Sequence, residues 1–265
     1  MRELALLRRT LRESWRGLLG WTAGVAAALA LYLPLFPSIG GNGQLQQVIE
    51  SLPPELVAAL GYDQIGTGAG YTQSTFYGLI GFLLLSIAAI AWGAGAVAGA
   101  EESGRLELDL AHGIARRSYA LQSALAMLLR LLWLSAAAGA IVALLDAPAT
   151  LGLDGANIVG ATVALWGLTA LCGAVALLAG ALSGRRLWAI GAGAGVAVLG
   201  YVLTAVANQL PEAEWLRSFS PYSWAYHQSP LADGADPVGL TALWAATAVL
   251  IAACAGALQR RDVTG

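Results

Sequence analysis

Six apolar stretches, each long enough to cross a bilayer as a helix, occupy most of this chain: roughly residues 18–37, 76–100, 119–145, 157–182, 187–208 and 238–258. A helix needs about 20 residues to cover the hydrocarbon core, and tilt absorbs any excess. Unbroken apolar runs are also the wrong pattern for a membrane β-barrel, whose strands alternate inward and outward residues. With 58% hydrophobic and 11% charged residues among 265, the chain reads as an all-α polytopic membrane protein. Its spans leave room for a single transmembrane domain over 1–265, because the longest connection, 38–75, is too short for a substantial core of its own.

The basic residues are all arginine, and they divide sharply by side. Placing the N-terminus in the cytoplasm puts Arg2, Arg8, Arg9, Arg12, Arg16, Arg105, Arg116, Arg117, Arg185, Arg186, Arg260 and Arg261 there. Only Arg217 is then outside, Arg130 falls within a span, and Glu50, Glu55, Asp63, Asp146, Asp154, Glu212, Glu214, Asp233 and Asp236 face out. The positive-inside rule therefore sets both termini in the cytoplasm of a multi-pass plasma-membrane protein, expected to be prokaryotic. The first span follows a charged segment without a convincing cleavage site and reads as a retained anchor. Cys172 and Cys254 sit singly inside spans, with no metal or disulfide spacing, and read as packing residues.

Before the first span, Leu4, Leu7, Leu11, Trp15 and Leu18 recur at helical spacing, with Arg8, Arg9, Arg12, Glu13 and Arg16 between them. An amphipathic helix over 1–17, lying at the cytoplasmic surface against anionic lipid, is the expectation. In the first outer loop, Ser51 can cap a short helix whose first turn holds Pro53 and Pro54 and whose end is Gly61. The loop 209–237 gathers Trp215, Phe219, Tyr222, Trp224, Tyr226 and His227, which fits an interfacial aromatic belt or a share in an exit gate. Gly20/Gly24, Gly95/Gly99 and Gly191/Gly195 form small-xxx-small faces, where another helix could approach closely.

The connection 101–118 is the most distinctive segment. It holds Glu101, Glu102, Arg105, Glu107, Asp109, Arg116 and Arg117, interrupted by Leu106, Leu108 and Leu110. Gly104 permits a reversal after the second span, and Gly113 a break before the third. A short segment between them, with leucines facing a partner or the bundle, could transmit force to two spans; the plainer alternative is a solvated loop whose arginines only set topology.

In these features the chain resembles the permease subunit of an ABC-2 type exporter over nearly its whole length. The resemblance rests on the Glu-Glu-x-Gly-x-Leu-Glu-x-x-Leu-Ala run from Glu101 to Ala111 and the pair Arg116 and Arg117. It is supported by Ser-Leu-Pro-x-x-Leu from Ser51, Ser220-Pro221-Tyr222 and the closing Arg260-Arg261-Asp262-Val263. The family's usual Phe before the closing basic pair is absent, since Leu258 and Gln259 stand there, and Gly113-Ile114-Ala115-Arg116 replaces a Pro-x-Ser-Arg step. The resemblance implies a six-span domain with an N-terminal amphipathic helix and a coupling helix in the first cytoplasmic loop. Two such permeases, identical or homologous, would pair around a path lined by the second and fifth spans. They would sit on two separate ATP-binding cassette subunits, which bind the ATP and Mg2+. By position, Glu101, Glu102, Gly104, Arg105, Leu106, Glu107, Leu108 and Asp109 would lie at that ATPase contact, braced by the first seventeen residues.

The chain has no Walker A lysine, having no lysine at all, and no soluble domain to hold ATP. No catalytic site, metal site or nucleic-acid-binding role is expected of it. Tyr77, Trp92 and Tyr201 are candidate surface for an amphiphilic substrate, or packing residues. Thr204, Asn208 and Gln209 could line an exit, or simply finish a helix. Arg130 is expected to be interfacial, with the third span beginning late, near Leu125, or to snorkel toward the surface; the alternative is a polar contact inside the bundle, near the path. No acid lies mid-span, which counts against a proton- or sodium-driven carrier, since these use intramembrane ionisable relays. The leading expectation is thus an exporter permease moving an amphiphilic, drug- or lipid-like substrate. A membrane anchor or assembly protein is the alternative from another class, and a secondary carrier a third.

Overall fold

The computed structural model describes residues 4–39, 51, 53 and 64–261. The short helix expected after Ser51, and the closing Asp262 and Val263, lie outside the described residues. Six helices are long and apolar enough to span a membrane. They are built from α1 (Ala5–Tyr32), α2 (Gly81–Ala96), α5 (Arg116–Asp146), α6 (Gly155–Ser183), α7 (Arg186–Gln209) and α9 (Pro237–Arg260). Two short helices, α3 (Ala98–Glu102) and α4 (Arg105–Ala111), follow α2, and α8 (Pro221–Tyr226) precedes α9.

Several helix starts follow directly from capping residues. Asp154 accepts from the amides of Ala156 and Asn157 at the head of α6, and Asp236 from those of Val238 and Gly239 at the head of α9. Each satisfies amides that a helix leaves open in its first turn, with Pro237 fitting the first position of α9. By contrast, nothing in Gly17-Leu18-Leu19-Gly20 stops a helix. The amphipathic segment expected over 1–17 and the span expected over 18–37 are one continuous helix, α1, through position 17. It tightens to a 3-10 turn only at Leu33–Leu35, where Pro34 removes a donor. At 1.5 Å per residue α1 is about 42 Å long, more than the core of about 30 Å that a span must cross. The second span enters through a π-helical stretch, Gln73–Ile80, before settling into α2.

Helix α6 runs through the centre, packed against α2, α5, α7 and α9, while α1 lies along α5 and scarcely meets α2. Glycine sets the closest approaches. A Cβ on Gly93 would run into the Gly173 carbonyl, and one on Gly173 would meet the Met127 sulfur and Ala89. Gly193 lies against Ile90, Ala176 and the Cys172 carbonyl in the same way. These are not the glycines that the spacing picked out. Around Gly20, Gly24, Gly95, Gly191 and Gly195 a Cβ would find no heavy atom within 4 Å, and Gly99 has only ordinary contacts. With 33 glycines in the chain, four-residue spacings arise without a contact; which face meets a neighbour is set by the bundle.

Candidate functional site at the arginine-rich end

Where α2 ends, the backbone breaks at Val97 and restarts as α3, which Ser103 closes by donating its hydroxyl to the Gly99 carbonyl at 2.8 Å. Gly104 then takes φ +69° and Gly113 φ +86°. These left-handed positions are strained for side-chain-bearing residues, so the two glycines set the bends on either side of the seven-residue α4. Between them Leu106 is 0% exposed, whereas Leu108 is 61% exposed. One leucine anchors the helix and the other stands off it. The anchor enters a compact core with Leu6, Val97, Tyr119, Leu177, Cys254 and Leu258. That core joins the start of α1, the α2–α3 bend, α5, α6 and the end of α9.

Polar contacts tie the same elements together. The Leu7 amide donates to Gln122 Oε1 at 3.1 Å, and the Tyr119 hydroxyl to the Ala96 carbonyl at 2.9 Å. Arg9 bridges Glu13 at 3.0 Å and Asp109 of α4 at 3.2 Å. Arg261 pairs with Glu101 and donates to the Ala181 carbonyl at 3.0 Å, while its own carbonyl accepts from Arg116 at 2.8 Å. Glu102 Oε1 accepts from the Arg186 amide at 2.7 Å, placing a carboxylate at the positive N-terminal end of α7.

Glu101, Glu102, Leu106, Asp109 and Arg116 therefore make contacts with distant parts of the chain, while Glu107, Leu108 and Arg117 are exposed, as is Arg105, which donates to neighbouring Ser103. In the first turns of α1, Leu7 is buried and Leu11 half-buried, whereas Leu4, Arg8, Arg12 and Trp15 are exposed. Sequence reasoning missed Gln122 and the hub role of Arg261. Neither announces itself by spacing, because each contact joins segments more than a hundred, or at least eighty, residues apart.

Beside this joint opens a cavity of about 350 Å³ walled by α1, α2, α4 and α5. Exposed Arg9, Glu13 and Arg105 stand at its mouth, with Asp109 and Tyr119 behind them and Trp92 and Arg130 among its lining residues. Because α5 begins at Arg116, Arg130 lies about four turns, or about 21 Å, along it. It is only 7% exposed, packed between α5 and α2 rather than standing free at the surface. The guanidinium stacks 4.6 Å from the Trp92 ring and donates Nε to the Ala126 carbonyl at 3.0 Å.

The remaining candidates for path lining are scattered. Tyr77 is fully buried, its hydroxyl 3.2 Å from Thr162. Thr204 meets the Ser220 hydroxyl at 2.7 Å, and Asn208 accepts from Arg217 at 3.2 Å, so both hold the last large loop to α7. Tyr201 stacks edge-on to Tyr222 at 5.3 Å. Only Trp92 lines the cavity. Among the described residues, no cluster of three or more His, Cys, Asp or Glu side chains could hold a metal ion.

Comparison with known families gives one clear result. The model of a family described as ABC-2 family transporter protein matches residues 4–263. No curated protein matches the chain.

Proposed function

The chain belongs to the ABC-2 transporter family, and on that basis we propose that it is the membrane-spanning subunit of an ATP-driven exporter. Its arginine-rich end lies in the cytoplasm, as the positive-inside rule requires. Two separate ATP-binding cassette subunits dock there, bring the ATP and Mg2+, and drive two permease copies between conformations. The substrate is an amphiphile of drug-like or lipid-like character, moved outward. The copies meet along α7, whose exposed Trp188, Gly191, Leu199 and Val202 make a stripe at helical spacing.

One observation carries this reading: α4 buries Leu106 and presents Leu108 to solvent between two left-handed glycines. A solvated tether would gain nothing from exposing a leucine so fully, whereas a docking knob would. Leu106 then transmits the push, because it shares a core with α1, α5, α6 and α9. Glu101 and Glu102 act one step removed from the ATPase, by holding α3 to the ends of α9 and α7.

The test is co-purification with the ATP-binding cassette protein encoded beside it, followed by ATPase assay in lipid. Wild type should form a complex whose activity depends on the permease. Leu108→Asp should cut that activity about 10-fold or more, as removal of a central interface anchor does. Activity unchanged in Leu108→Asp would remove α4 from the contact. No complex between a folded permease and a competent ATPase would defeat the pairing itself.

A further inference from the structure

The cavity beside α4 holds three positive and two negative side chains: Arg9, Arg105 and Arg130 against Glu13 and Asp109. At its mouth the charges are engaged. Arg9 bridges both carboxylates, and Arg105 Nε donates to the Ser103 hydroxyl at 2.9 Å. Arg130 is different. It has no carboxylate partner among the described residues, and of its donors only Nε finds a protein acceptor there. Stacking on Trp92 occupies one face of the guanidinium and leaves its terminal amino groups uncommitted. An arginine exposed over only 7% of its surface, in a cavity it helps to line, offers a planar fork that suits a carboxylate or phosphate.

The walls favour a ligand with an apolar part. Trp92, Ala91, Gly95 and Ala96 line the α2 side, where α1 makes few contacts with α2. Close by, Trp21 of α1 meets Trp92 edge-on at 6.5 Å, and Trp133 donates to Thr22 at 3.2 Å. A ligand entering past exposed Arg9, Glu13 and Arg105 meets Arg130 among the lining residues. A volume of about 350 Å³ takes a head group or a small acid, not a whole phospholipid.

We propose that this cavity is a binding site for an anionic oxygen head group, phosphate or carboxylate, that pairs with Arg130 over Trp92. The site does not depend on the exporter reading, since binding is a property of this chain alone.

The test uses the purified full chain in neutral detergent and native mass spectrometry. Dioleoyl phosphatidate and dioleoyl phosphatidylcholine are the lipid probes, and millimolar inorganic phosphate the competitor. Wild type should retain phosphatidate in preference to phosphatidylcholine by about 10-fold, the ratio that one charge-assisted contact supplies. Arg130→Gln should lose that preference. Gly95→Leu is the second variant, because open space surrounds that glycine and a side chain there fills the cavity while leaving Arg130 and Trp92 intact. It too should lose the preference, and it decides the matter if Arg130→Gln does not fold. Displacement by inorganic phosphate would support the site with a soluble anion as its ligand; retention against phosphate would support it with a lipid head group. Equal retention of both lipids by wild type, or undiminished preference in folded Gly95→Leu, would overturn the proposal.

Discussion

The two ends of this bundle are held together in different ways. At the end carrying the 209–237 loop, rings pack on rings. Tyr222 stacks against Phe82, Tyr201 and Tyr226 at 5.1–5.3 Å and donates its hydroxyl to the Gly78 carbonyl at 2.8 Å. Ser220, at the head of α8, donates its hydroxyl to the Gly200 carbonyl at 2.6 Å. At the arginine-rich end, ion pairs and carbonyl contacts to arginine bind short elements around one buried leucine. Rings interlocked with neutral hydrogen bonds make a stiff seam, whereas exposed ion pairs such as Arg9 with Glu13 can be exchanged for a partner's at little cost, unlike the more buried pair of Arg261 and Glu101. The difference teaches that the arginine-rich end is the one suited to change partners, and the ring-packed end the one suited to stay fixed while it does.

The largest effect that would break this comparison is at Leu106. Leu106→Asp puts a charge into the core shared by α1, α3, α4, α5, α6 and α9. It should destabilise the chain by more than about 4 kcal/mol, read as loss of monodisperse protein or a collapsed midpoint in SDS titration. Leu108→Asp, two residues away on the exposed side, should leave that midpoint in place. If both variants behave alike, α4 is not anchored on one side and presented on the other.

That pair also shows what the sequence could and could not convey. The two glycines marked the ends of a short segment over 105–111, and only the family resemblance implied that it was a helix. Which leucine is buried depends on where Tyr119 and Leu258 lie, and no local pattern records that. The six helices were legible because apolar length is a local property. The glycine contacts were not: Gly95 fits a four-residue spacing and faces open space, whereas Gly93, two positions earlier, meets Gly173 backbone to backbone. Arg130 was legible as an oddity, but its resting place over Trp92 required knowing that α5 begins at Arg116 and that α2 lies alongside. The boundary at residue 17 had a simpler cause. Composition changes there from charged to apolar, yet a helix continues through a change of composition unless a cap or proline stops it.

A middle-sized effect separates the two ends by salt and by chemistry. Arg261→Ala removes the partner of largely buried Glu101 and the donor to the Ala181 carbonyl. Leaving that carboxylate unpaired should cost about 3 kcal/mol. Tyr222→Phe keeps the ring stack and loses one neutral hydrogen bond, which should cost about 1 kcal/mol. Measured in the same SDS titration, the ratio of these two is the informative quantity. A Tyr222→Phe loss as large as that of Arg261→Ala would mean the ring-packed end depends on its hydroxyl as much as on its rings.

The smallest effect belongs to Arg9. Its bridges to Glu13 and Asp109 join α1 to α4, but Arg9 and Glu13 are well exposed, and exposed ion pairs lose their attraction to screening and side-chain entropy. Arg9→Ala should therefore lower stability by less than about 1 kcal/mol at low salt, with the difference shrinking further in 1 M salt. Stability alone would then pass the residue as idle. Its place between α1 and the presented face of α4 argues otherwise for the assembled complex, where ATPase activity should fall more than stability does. A stability loss matching that of Arg261→Ala would reverse this reading, because the α1–α4 contact would then be a fixed brace and the arginine-rich end as rigid as the other.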